Sequence, residues 1–331
     1  MQNIAKKAKL AKKTVIEIAA VSGAFALVAV LSAFYDLQIS KALYNPDLLF
    51  GQFFAYLGEL PSYLAAPTVG AIFFHQSIGK NRTAKIAWKV FSVIIVAAGW
   101  FYLIFAWVWE NFVRPEIDFA IVYQLYFTAM LTIATLLGTA KVDKKAMKRL
   151  LLFAIFVMLV AAISNALIQI FKLMWQRQRF RTMVDNPQNA GLIAAYGGNY
   201  RGFAPWYKPE FLFRTPFRTE AYIAAVKDVD HDAFKSFPSG HTVAASASFA
   251  LIILPEMYEK LKKYRWMFWT FPALYTVVVG ISRIVIGAHY LSDVLFGGFI
   301  GFGIAVLARW IIVKKQYNVK ANNWAAEIKT E

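Results

Sequence analysis

Twelve residues, Ser282-Arg283-Ile284-Val285-Ile286-Gly287-Ala288-His289-Tyr290-Leu291-Ser292-Asp293, set an arginine, a histidine and an aspartate between two long apolar runs. His289 and Asp293 are four apart, so on a helix they share one face. A carboxylate beside an imidazole selects its tautomer and stabilises its positive charge. The same stretch also suits a plain helix junction closed by a salt bridge at a membrane rim, since a charge there is costly unless paired or facing a polar cavity. Two other clusters bear on the choice. One is Lys172 and Arg179, seven apart; the other is Phe237-Pro238-Ser239-Gly240-His241. Lysine and arginine supply positive charge, and the arginine fork takes two phosphate oxygens at once. Ser239 and Gly240 stand where a helix should begin, and a helix start offers free N–H groups and a favourable dipole to an anion. Ser239 would also serve as an ordinary N-cap. Of four histidines, His241 and His289 fall in these clusters, enough for a nucleophile and a separate general acid. His75 and His231 have no such company and are read as structural.

The elements that must carry these clusters follow from hydropathy. The chain has 331 residues, 59% of them hydrophobic, in repeated apolar segments. Segments of ~20 apolar residues are transmembrane helices. The expected fold is therefore an all-α, polytopic transmembrane helical bundle of about eight spans: 15–35, 52–75, 86–108, 118–139, 147–171, 240–256, 266–282 and 291–313. The second is the weakest, because Glu59 or Pro61 can break or kink it. The lysines at 6–13 before an apolar run resemble a signal peptide, but the run to Phe34 is too long, and a retained first span is expected. No cysteine is present, which excludes disulfides, thiolate nucleophiles and cysteine metal sites. The Asp228-Val229-Asp230-His231-Asp232 run lacks EF-hand spacing and reads as a solvated turn.

A net charge of +17 in a soluble chain would suggest nucleic acid. Here the basic residues instead alternate with the spans. With the N-terminus inside, the inner segments collect Lys6 to Lys13, Lys80 to Lys89, Lys141 to Arg149, Lys260 to Arg265 and Arg309 to Lys329. The short outer loops before the fifth span hold only Lys41 and Arg114, beside Asp36, Asp47, Glu110, Glu116 and Asp118. This pattern keeps the second span, puts both termini in the cytoplasm, and puts all three polar clusters on the outer face. Residues 172–239 carry ten basic side chains. Long loops translocate largely regardless of charge, and a basic outer loop suits an anionic ligand. Its aromatic content, Tyr196 to Tyr207 with Gly197 and Gly198, suits an irregular segment at the interface. Small residues Ala244 to Ala250, and Gly297 and Gly301, suit close helix packing.

The three clusters resemble the signature motifs KxxxxxxRP, PSGH and SRxxxxxHxxxD of the type 2 phosphatidic acid phosphatase superfamily (lipid phosphate phosphatase and haloperoxidase-like proteins). The second and third match at every defined position, and the first has Phe180 where proline is usual. The resemblance implies a six-span phosphatase core at 85–315 containing outer loop 172–239, preceded by a cytoplasmic tail and two additional spans at 1–84 and followed by a tail at 316–331. It implies His289 as nucleophile, Asp293 as its orienting group, and His241 as the acid, then the base. Lys172, Arg179, Ser239, Gly240 and Arg283 would bind the phosphoryl group. It implies no metal and no cofactor, with a lipid phosphate substrate among membrane lipids. A polyprenyl pyrophosphate carrier ranks ahead of phosphatidate and phosphatidylglycerol phosphate on topology. A lipid phosphotransferase on the same core, or a transporter or scaffold using the anion site without turnover, are the alternatives. The loop at 180–236 would cap the site and select head groups, with Arg181, Arg201 or Trp206.

Overall fold

The computed structural model describes residues 2–76, 78–106, 120–184, 186–197 and 200–328. Glu110, Arg114, Glu116, Asp118, Asp185, Gly198 and Lys329 lie outside the described residues. The described chain is helical, with no strand: α1 (Gln2–Leu43), α2 (Leu49–Leu57), α3 (Leu60–Tyr63), α4 (Ala65–Phe74), α5 (Arg82–Ile104), α6 (Ala120–Ala140), α7 (Lys144–Arg149), α8 (Leu151–Trp175), α9 (Ala190–Tyr196), α10 (Glu220–Val229), α11 (Gly240–Ser246), α12 (Leu254–Met257), α13 (Arg265–Val285) and α14 (Leu291–Ile328). Tighter 3-10 segments occur at Phe180–Thr182, Ala247–Ile253 and Glu259–Tyr264.

Seven segments among the described residues are long and apolar enough to cross a membrane: 21–43, 82–104, 121–140, 151–182, 240–257, 259–285 and 291–312. They correspond to seven of the eight expected spans. The other, 52–75, is divided among α2, α3 and α4. Pro61 occupies the first turn of α3, where its missing N–H costs nothing, so the helix restarts there instead of running through. Span 240–257 is helical throughout but passes from α11 through a 3-10 segment to α12. Polar connections start helices by capping. Asn81 accepts the Ala84 N–H at 2.8 Å, Asp143 the Ala146 N–H at 2.9 Å, and Thr219 the Tyr222 N–H at 3.2 Å.

The chain forms two compact units. One comprises residues 1–52, 169–239 and 280–299; the other comprises 53–168, 240–279 and 300–331. The second holds the larger apolar core, where Val69, Ile72, Phe73, Phe156, Val160, Ile252 and Ile253 are buried together. A Cβ on Gly99 would stand 2.4 Å from Pro67, and one on Gly70 2.7 Å from Val96, so α4 and α5 approach through their glycines. Gly301 faces Ser246 as closely, as the small-residue pattern predicts. The first unit has two smaller aromatic clusters. One gathers Phe180, Met183 and Tyr290 with Tyr44, Tyr200 and Phe203; the other gathers Tyr222, Val226, Ala233 and Phe234.

Candidate active site

Four backbone hydrogen bonds stitch together the three motif segments of the first unit. The Ser236 N–H donates to the Arg177 carbonyl (3.0 Å), Arg179 to Ala233 (2.7 Å), Arg181 to Gly287 (2.9 Å) and Ser239 to Asp293 (2.9 Å). Helix α13 ends just beyond Arg283, whose carbonyl accepts the N–H groups of both Ala288 and His289 at 3.1 and 3.2 Å. The reversal requires Gly287, which sits at φ +66° with no room for a side chain: a Cβ would lie 2.7 Å from the Tyr44 ring. His289 thus precedes α14 rather than lying on it. Asp293 lies in the first turn of α14 and accepts the Tyr290 N–H at 2.9 Å, half of a capping box.

His289 is 1% exposed. Its Nδ1 stands 2.6 Å from the Ser236 carbonyl and 3.8 Å from the Asp293 carboxylate. A carbonyl oxygen only accepts, so Nδ1 carries a proton, and in the neutral imidazole the lone pair is on Nε2. The orienting bond therefore comes from Ser236, which the motif reading does not single out, with Asp293 behind it as an electrostatic partner. The Ser236 hydroxyl in turn donates to Asp293.

Asp293 is also bound by Arg177, an arginine inside the first motif that sequence reasoning passed over. Arg177 Nη1 lies 2.6 Å from Asp293 and 2.7 Å from the Ser292 hydroxyl; Nη2 lies 2.9 Å from Asp36; Nε donates to the Ala204 carbonyl at 2.7 Å. Its guanidinium stacks 4.0 Å above the Tyr290 ring. Asp36, Arg177 and Asp293 are each at most 1% exposed. Such burial is tolerated because every charge has an opposite and its hydrogen bonds are made. The signal for Asp36 was present in the sequence, as an acid at the end of an apolar span.

The expected phosphate-binding residues are placed as follows. Arg283 is buried in the last turn of α13. Ser239 is buried immediately before α11, and Lys172 lies in the last turn of α8. Arg179 holds a φ of −71° and ψ of 143°, the extended conformation a residue before proline would take, so Phe180 leaves that backbone where a proline would have set it. Phe180 itself is buried against Tyr44, Tyr200 and Tyr290. The Arg179 guanidinium lies 3.7 Å from both Asp230 and Asp232, and Arg181 binds Asp230 at 2.7 Å. Asp232 also meets Lys235 at 2.7 Å. Partial burial would raise the Asp232 carboxyl, but Lys235, Arg179 and Lys172 override that and hold it at about 2. The acidic run read as a solvated turn thus supplies counter-ions to Arg179. Trp206 donates to the Ala29 carbonyl at 3.2 Å, and Arg201 lies 5.1 Å from the Phe217 ring.

Gly240 and His241 belong to the second unit. There His241 Nδ1 lies 3.1 Å from Glu59, and Nε2 lies 3.0 Å from the Ala55 carbonyl. Of the two remaining histidines, His75 bonds Thr139 at 3.0 Å, and His231, its side chain 92% exposed, lies 3.5 Å from Asp232.

Curated relatives match over short stretches of the chain. Phosphatidylglycerophosphatase B of Bacillus subtilis (strain 168) is 38% identical over 71 residues, 21% of this chain and 34% of its own length. Lipid A 1-phosphatase of Rhizobium johnstonii is 33% identical over 84 residues, 25% of this chain and 31% of its own. Bacitracin transport permease protein BcrC of Bacillus licheniformis is 32% identical over 91 residues, 28% of this chain and 40% of its own. The chain thus spans well under half the length of each of these relatives. No solved structure matches. The family model for the PAP2 superfamily matches residues 151–317, taking in all three motif segments, and the chain belongs to that superfamily.

Proposed function

We propose that the protein is an integral-membrane phosphatase that hydrolyses a lipid phosphate or pyrophosphate through a phosphohistidine. The observation that carries this reading is a buried His289 whose Nδ1 is held by the Ser236 carbonyl, which in the neutral ring leaves the lone pair to Nε2. Nε2 attacks phosphorus as the bond to the leaving oxygen breaks, and His241 delivers a proton to that oxygen. His241 then removes a proton from water, which attacks the phosphohistidine and releases inorganic phosphate and His289. Lys172, Arg179, Arg283, Ser239 and the Gly240 N–H bind the phosphoryl oxygens, where charge grows in the transition state. Asp293 stabilises His289 as it becomes positive. The chain's own residues supply every one of these roles.

Relatives named phosphatidylglycerophosphatase and lipid A 1-phosphatase support the lipid-phosphate class. The substrate head group lies in the outer leaflet, and a polyprenyl pyrophosphate ranks first. Purified protein is to be tested for phosphate release from polyprenyl pyrophosphate, phosphatidate, phosphatidylglycerol phosphate and soluble phosphate esters. His289→Ala should abolish release while the protein stays folded, and wild type quenched in alkali should carry an acid-labile phosphoryl group that the variant lacks. Retained turnover in His289→Ala ends the proposal.

A further inference from the structure

Glu59 is the only charged side chain between residues 49 and 74, and it lies outside the part of the chain that matches the superfamily. A carboxylate in so apolar a segment is costly unless something holds it. The backbone there is broken for a local reason. Pro61 begins α3, and Gly58 packs where a Cβ would meet Val279 at 2.9 Å. Glu59 therefore stands at the N-cap of α3, yet its side chain makes no capping bond. It is directed elsewhere: one carboxylate oxygen lies 3.1 Å from His241 Nδ1, and the other accepts the Tyr63 hydroxyl. The Glu59 carbonyl anchors the turn by accepting the N–H groups of Ser62 and Tyr63 at 3.0 and 3.1 Å.

His241 is thus held at both ring nitrogens by oxygens, with the Ala55 carbonyl at Nε2. A carbonyl only accepts, so Nε2 bears a proton. At Nδ1 the partner is a carboxylate that already receives the Tyr63 hydroxyl, so the imidazole and Glu59 share a second proton between them. A neutral histidine alone carries one. The arrangement is that of an acid loaded before reaction.

We propose that Glu59 is a positioning residue that keeps His241 loaded with the proton it gives to the leaving oxygen. The inference rests on His241 being the general acid. In the first step Nε2 exchanges the Ala55 carbonyl for the leaving oxygen and passes its proton as the phosphorus–oxygen bond breaks. Nδ1 remains on Glu59 throughout, and the imidazole left behind takes a proton from the attacking water in the second step. The segment ahead of the superfamily core then contributes to the reaction as well as to packing.

A leaving group that needs no proton separates this role from a purely structural one. Full-length protein in lipid nanodiscs is assayed on phosphatidate, whose alkoxide leaving group needs a proton, and on p-nitrophenyl phosphate, whose phenolate does not. Glu59→Gln should lower kcat on phosphatidate by about 100-fold, within the usual range for general acid catalysis. It should change kcat on p-nitrophenyl phosphate by less than about threefold, leave KM for both nearly unchanged, and Glu59→Asp should recover part of the loss. Tyr63→Phe, which keeps the carboxylate and removes its donor, should show a smaller loss with the same selectivity, and it decides the matter if Glu59→Gln does not fold. His241→Gln is the control on the underlying assignment, read on the rate of phosphoenzyme formation because this variant also loses the base of the second step. Leaving-group dependence in His241→Gln, with equal losses or none on both substrates in the Glu59 and Tyr63 variants, overturns the role of Glu59 alone. Absence of that dependence in His241→Gln overturns both.

Discussion

Arg177 is bound on one side by Asp293 and on the other by Asp36, and the second carboxylate matters to the first. An arginine 2.6 Å from Asp293 would by itself cancel much of the field that Asp293 exerts on His289. Asp36 offsets that arginine, so the trio keeps a net negative charge beside the imidazole. Removing the centre of such a cluster strands two buried carboxylates, and breaking buried pairs of this kind costs about 3–5 kcal/mol. Arg177→Met is therefore expected to lower the thermal unfolding midpoint sharply. Adding Asp36→Asn should restore part of the loss, a coupling that a double-mutant cycle measures. Asp232 calls for a different prediction. It stays ionised down to about pH 2, so its contacts to Arg179 and Lys235 persist across the working range. Its folded value lies below the ordinary 3.8, so the stabilisation is complete above that value and is lost as pH falls through about 2. A phosphate binding at Arg179 must compete with this carboxylate. Asp232→Asn should tighten inhibition by inorganic phosphate several-fold; inhibition unchanged by the variant would show that Arg179 does not meet phosphate there.

At the scale of elements, the turn between α13 and α14 is what turns a motif into a geometry. Gly287 at φ +66° allows it, and both Tyr44 and the Arg181 side chain crowd the place of a Cβ. Gly287→Ala meets backbone strain of about 1–2 kcal/mol together with these contacts. It is expected to reduce phosphate release at least tenfold, because the displaced turn carries His289, and to lower the unfolding midpoint by a few degrees. A variant with wild-type activity would mean that His289 tolerates movement of its turn. The same turn shows where the sequence was readable. Spacing placed His289 and Asp293 in one cluster, yet their relation is not that of two residues on one helical face. Asp293 caps a helix that starts after His289, and the chain reversal depends on a positive φ that periodicity does not register. The seven long apolar helices were legible because twenty apolar residues in a row have few other fates. Ser236 and Ala55 were not, because they act through main-chain carbonyls, and a carbonyl has no residue-type signature. Arg177 and Glu59 were visible as charges, but their partners lie 116 and 182 positions away along the chain, at Asp293 and His241.

For the whole molecule the face on which the motifs lie follows from the crossings after residue 80, and the path of residues 49–74 decides on which side α1 begins. If α5 and α6 are two crossings, which their length and apolarity allow, Lys80 and Lys145 share a side, and the span 151–182 then puts Lys208 on the opposite one. These relations hold whether or not 49–74 crosses. What changes is the connection to α1. If α2, α3 and α4 together traverse the bilayer, Asp47 shares a side with Lys208; if they enter and return, it shares a side with Lys80. The charge pattern favours traversal, because a return would place the lysines at 6–13 opposite those at 80–89 and 141–149, against the tendency of basic segments to stay on the cytoplasmic side. A broken helix at such depth is tolerated where its freed polar groups find protein partners, and Glu59 has His241 and Tyr63. The chain contains no cysteine, so single cysteines report without background. Asp47, Lys80, Lys145 and Lys208 are all exposed. With a membrane-impermeant maleimide, Asp47→Cys and Lys208→Cys are expected to label in intact cells, and Lys80→Cys and Lys145→Cys only after permeabilisation. Asp47→Cys behaving like Lys80→Cys would make 49–74 re-entrant. Inversion of all four would move the motifs to the cytoplasmic face, leaving the chemistry of His289 intact and replacing the outer-leaflet lipids with inner-leaflet ones as substrates.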